Sequence, residues 1–143
     1  EIGINVLNQA RINIASLKFD PEIPVKGQKV SMIVRLENVG EGEALFVKAK
    51  LEGLDASGSS SAFLGRLDKD DDAPAVFTFI PGKTGEQEVT LLVEYEDDFG
   101  QHQLSEDLTV NVINDSNSRI PLLIGVLVVL AVAVFFMKKK GKL

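Results

Sequence analysis

Residues 29–38 read KVSMIVRLEN. Val30, Met32, Val34 and Leu36 occupy every second position, against Ser31, Ile33, Arg35 and Glu37. Successive side chains of a strand point to opposite faces, so this alternation describes a strand with one face in a core. The same period of two recurs on both sides. Residues 44–52 place Leu45, Val47, Ala49 and Leu51 against Lys48, Lys50 and Glu52, with Phe46 breaking the polar face. Residues 62–67 read as a short strand. Residues 75–81, AVFTFIP, end at Pro81-Gly82, a turn signal. Residues 88–95 align Val89, Leu91, Val93 and Tyr95, and residues 101–113 align Leu104, Leu108, Val110 and Val112. An earlier run over 13–19 precedes the turn Asp20-Pro21-Glu22-Ile23-Pro24.

These runs predict seven strands, with turn signals roughly every 8–12 residues, as in an immunoglobulin-like sandwich. The expected fold is therefore an all-β, seven-stranded, immunoglobulin-like β-sandwich over 11–113. Val34, Phe79, Leu91 and Val110 are expected between its two sheets. Residues 53–61, rich in Gly and Ser, read as a loop, and 68–72 as an acidic turn. Residues 1–10 read as the end of an upstream segment or an extra edge strand.

The chain after the sandwich changes character. Residues 114–119, NDSNSR, are a short polar linker before the membrane. Residues 120–137, IPLLIGVLVVLAVAVFFM, hold no charged or polar side chain. As a helix they would span about 27 Å, close to a bilayer's hydrocarbon thickness. Lys138, Lys139, Lys140 and Lys142 follow at once. Lysines flanking a span are retained on the cytoplasmic side. The expectation is a single C-terminal transmembrane helix over 120–137, a basic cytoplasmic tail over 138–143, and an N-terminal domain outside the cell membrane. The first residue is Glu1, and no apolar leader is present. An exported N-terminus needs a signal, so the chain is expected to continue upstream.

Charge follows the same division. All 21 acidic residues and 10 of the basic ones lie in 1–118, a balance of −11; residues 119–143 carry +5. Phosphate contacts need Lys and Arg, so a domain this acidic is not expected to bind nucleic acid. The chain has no cysteine. Disulfides, thiol nucleophiles and thiolate metal sites are excluded.

A family resemblance rests on particular residues. Leu36-Glu37-Asn38-Val39-Gly40, followed by Ala44, resembles the strand-exit step of CARDB-type domains, immunoglobulin-like modules of bacterial and archaeal surface proteins that include S-layer-related chains. Phe63-Leu64-Gly65-Arg66-Leu67, Phe77-Thr78-Phe79-Ile80-Pro81 with Gly85, and Val93-Glu94-Tyr95-Glu96-Asp97 with Gly100 are similar to the family's later pieces. The resemblance covers roughly residues 12–113. It implies a non-enzymatic spacer, adhesion or assembly module. The cysteine pair and core tryptophan of antibody domains are missing.

Candidate sites are few. Asp68, Asp70 and Asp72, with Asp71, form an acidic turn that offers carboxylates to a weakly held calcium ion. Glu94, Glu96, Asp97 and Asp98 form a second acidic group, read as a solvent-facing turn or as a second weak calcium site. Asn114-Asp115-Ser116 matches a glycosylation sequon. Asn38 and Gly40, residue types that tolerate positive φ, are expected to bracket a strand exit. His102 is the single histidine and reads as an exposed turn residue. A general base needs an oriented partner and a pocket, and neither is written here. No enzyme and no cofactor beyond weak calcium are expected.

The expected function is a membrane-anchored extracellular spacer, adhesion or surface-assembly module at the membrane-proximal end of a longer surface protein. Its partners would be the lipid bilayer and other surface or membrane proteins, met through edge strands and the loops around 39–44, 53–61 and 96–102. The alternative is an accessory single-pass subunit of a membrane transport, secretion or translocon complex.

Overall fold

A computed structural model describes residues 6–115. The apolar run 120–137 and Lys138, Lys139, Lys140 and Lys142 lie outside the described residues. Among the described residues there are eight strands: β1 (Ile12–Asp20), β2 (Val30–Asn38), β3 (Ala44–Glu52), β4 (Ala56–Gly58), β5 (Ser61–Leu67), β6 (Asp72–Pro81), β7 (Gly85–Asp97) and β8 (Gly100–Val112). The described residues contain no helix. The count is one more than the sequence led us to expect. The additional strand, β4, lies inside the Gly/Ser-rich stretch read as a loop. Three residues are too few to show a period, and it pairs with β6 from Ala56↔Pro81 to Gly58↔Phe79.

The strands form two four-stranded sheets, β1-β2-β6-β4 and β5-β3-β7-β8, and every pairing between strands is antiparallel. Strands β1, β2 and β6 stand as A, B and E of an immunoglobulin-like sandwich, and β3, β7 and β8 as C, F and G. The alternating residues of β2 decide the packing: Val30, Met32, Val34 and Leu36 are all fully buried. They share one core with Val47, Ala49, Phe77, Phe79, Leu91, Val93 and Val110. Val34, Phe79, Leu91 and Val110 are buried as expected.

Strand β3 departs from simple alternation. Ala44 and Val47 are both fully buried although three residues apart. The register against β5 and β7 shifts between them. Phe46 absorbs the extra residue at φ 54°. This left-handed conformation is costly for a bulky side chain. Leu45, expected in the core, is therefore only half-buried, and Phe46 projects outward with 59% of its surface exposed.

The path of the chain gives the sandwich two distinct poles. Ile12 pairs with Asn38 and Asp97 with Gly100 at one pole. At the other, Gly85 pairs with Val112, and Val25 bridges Ile113. The chain thus enters beside the β7–β8 turn and leaves at the opposite end. Strand β8 alone, at 13 residues, covers about 40 Å between the poles.

Candidate contact surfaces

The entry pole is built around two polar side chains withdrawn from water. Asn38 continues the inward phase of β2 beyond Leu36 and is fully buried. Its Oδ1 accepts the N–H groups of Arg11 and Gly40, each at 3.1 Å. Its Nδ2 donates to the carbonyls of Gly42 at 2.7 Å and Leu67 at 3.0 Å. All four bonds lead to backbone, so one amide ties together the incoming chain, the β2–β3 turn and the end of β5. A buried amide is tolerable only when satisfied in this way.

Asp97 mirrors it on the other sheet. The alternation that buries Val89, Leu91 and Val93 carries on to Asp97, whose side chain has no exposed surface. Its Oδ2 accepts the Ala10 N–H at 2.9 Å. Its Oδ1 accepts the Phe99 N–H at 2.8 Å and His102 Nε2 at 2.7 Å. Burial pushes the carboxyl upward, but the bonds from His102, Phe99 and Ala10 outweigh it and hold the group below its ordinary value. His102 also stacks on Tyr95, with centroids 5.2 Å apart. Burial pushes the Tyr95 phenol up; contact with the Ile12 backbone opposes this, and the Asp97 charge adds to it. Neighbouring Asp98 accepts the Asn8 N–H at 3.1 Å.

Residues 8–11 are thereby fastened to this sandwich. The Gly42 N–H donates to Gln9 and the Val39 N–H to Arg11. A Cβ on Gly40 would sit 2.4 Å from the Arg11 nitrogen, and one on Gly42 only 2.2 Å from the Asn8 carbonyl oxygen. Asn38 and Gly40 bracket the exit from β2, as expected. Neither has positive φ. Gly40 is needed because the incoming chain presses against it, and Asn38 because it satisfies four backbone groups. The solvent-facing reading of Asp97 and the exposed-turn reading of His102 are corrected: both face inward.

The acidic turn is differently arranged. Asp68 Oδ1 accepts Arg66 Nε at 2.7 Å, and Arg66 also meets Glu43. Asp72 pairs with Arg35, and Lys69 reaches Glu41 at 2.5 Å. Asp70 stands at φ 65° with its N–H bonded to the Asn38 carbonyl. Asp68, Asp70 and Asp72 are exposed and are not brought together around a common point. Among the described residues, no group of three or more His, Asp or Glu is placed to hold a metal ion. Asn114 is exposed, while Ser116 of its sequon lies outside the described residues.

The outer face of the second sheet carries two exposed phenylalanines, Phe46 and Phe63. One row across it runs Phe63, Lys48, Glu94 and Gln103, on β5, β3, β7 and β8 in turn. Phe63 is 67% exposed, and Phe46 lies beside the row on its bulge. Leu92 is half-buried between them and β8. This face is distinct from the strand edges and from the loops around 39–44, 53–61 and 96–102. Its signal was Phe46, which interrupts the polar side of β3.

No family model matches the chain, and no curated protein matches its sequence. Solved structures do match. One is the ASH / PapD-like domain of human CEP192 (PapD-like domain 7), with 18% identity over 80% of this chain and 92% of that one, at a TM-score of 0.48. Another is a β-glucosidase from Kluyveromyces marxianus, with 13% identity and a TM-score of 0.27. That match covers 74% of this chain but only 15% of the glucosidase.

Proposed function

We propose that the sandwich is a membrane-anchored extracellular spacer that acts by protein contact and carries out no chemistry of its own. It is held by a helix over 120–137, faces outward, and needs no cofactor. The observation that carries this reading is the opposite placement of entry and exit. Segments joined at the arm 8–11 and at Ile113 are kept a sandwich length apart. The uninterrupted apolar run and the lysines after it support the anchor and its orientation. The resemblance to CARDB-type surface modules supports the same use.

The chain has no cysteine, so single labels are readily introduced. With Phe99→Cys at the entry pole and Lys83→Cys near the exit pole, energy transfer to acceptor lipids would be measured on the full chain in vesicles. The spacer reading expects the label at 99 to lie farther from the bilayer, by up to about 40 Å. Equal distances for the two labels would overturn it.

A further inference from the structure

Each sheet ends in two edge strands, and a bare edge is a template for another chain. Three of the four edges are blunted. Strand β4 has only three residues. Strand β1 is bulged between Ile14 and Ser16 and carries Lys18. Strand β5 pairs irregularly with β3, turns at Gly65 with φ 81°, and carries Arg66. Strand β8 differs. It pairs with β7 over 13 consecutive positions without a shift. It contains no Lys, Arg or Pro. Among the described residues, its other side is engaged only beyond its end, where Ile113 bonds to Pro24 and Lys26.

The side chains along this edge describe what would fit it. Leu104 and Leu108 are half-buried against the core, leaving apolar surface at the mouth between the sheets. Glu106 lies between them on the same face and is exposed. Its carboxylate has no ion pair or hydrogen bond among the described residues. Asp107, on the opposite face, is already held by Thr90 Oγ1 at 2.9 Å. Glu106 is the midpoint of β8. A second copy added antiparallel about that midpoint would set Glu106 against Glu106, and like charges directly opposite destabilise a pair. The balance of −11 over residues 1–118 opposes self-association further.

We propose that β8 is a strand-addition edge for an extended segment of a different protein. That segment carries Lys or Arg opposite Glu106, with apolar residues two positions to either side, opposite Leu104 and Leu108. Its backbone completes the free groups of β8, its apolar side chains cover the two leucines, and its cation neutralises the one carboxylate guarding the edge. The inference gives the contact reading a partner class. The spacer reading has its own readout in the label distances, so either can fail alone.

The test uses the full chain in detergent micelles and the peptide Ser-Thr-Val-Thr-Lys-Thr-Val-Thr-Ser, beside a twin with Glu for Lys. The lysine peptide is expected to bind more tightly by roughly tenfold, the difference between an opposite-charge and a like-charge cross-strand pair. It should also slow amide exchange within 101–111. Glu106→Lys should invert the preference while leaving thermal stability unchanged. Equal binding of the two peptides, protection elsewhere than β8, or a preference that survives Glu106→Lys would overturn the proposal. So would concentration-dependent self-association that competes with the peptide.

Discussion

Asn38 shows how much one side chain organises here. It satisfies two N–H groups and two carbonyls from three separate segments. Removing it by Asn38→Ala would strand these groups in a buried pocket. Each unsatisfied buried group costs about 1–3 kcal/mol. With partial relief by water, we expect a loss of roughly 3 kcal/mol or more in chemical unfolding. Asn38→Asp should be no milder, because it places an oxygen against the Gly42 and Leu67 carbonyls. A loss below about 1 kcal/mol for the alanine variant would show that this network is dispensable. The exposed pairs Arg35–Asp72 and Lys50–Glu52 are of another kind, since surface ion pairs contribute little.

At the scale of elements, the arm 8–11 is joined to β7 through Asp97. That carboxyl is held below its ordinary value near 3.9 by the folded state. The sign follows: a depressed carboxyl contributes stability that is present above the unfolded value and is lost as pH falls through the folded one. The stability gap between the native chain and Asp97→Asn should therefore be full at pH 6 and shrink below about pH 4. Thermal melts across that range would check it, and a constant gap would exclude Asp97 as the acid-sensitive tie.

The strands themselves were legible in the sequence because most are half-buried and alternate cleanly. Strand β2 is the clearest case. The pole was not read, though its signal was present. Carrying each alternation to the end of its strand sets Asn38 in phase with Leu36, Asp97 with Tyr95, and His102 with Leu104. A polar residue at an inward position near a strand end reads equally well as the start of a turn. Strand β4 and the Phe46 bulge were hidden for other reasons. A three-residue strand has no period, and a bulge shifts the phase by one without any mark in composition.

For the whole molecule, the division of charge and hydropathy expects the sandwich outside and the lysine tail inside. Protease added to intact cells should remove the sandwich and spare a tag placed after Leu143. Digestion of that tag would reverse the orientation. The opposed poles carry a mechanical consequence too. Strand β1 begins at the entry pole, and β8 ends at the exit pole. A pull between Arg11 and Ile113 therefore acts along the strands, whereas their hydrogen bonds lie across them. The rungs of β1–β2 and of β7–β8 are loaded together, in shear, and do not peel one after another as in a zipper. Tension is met by whole ladders at once, together with the bonds from Arg11 to Asn38 and Val39 at the loaded end.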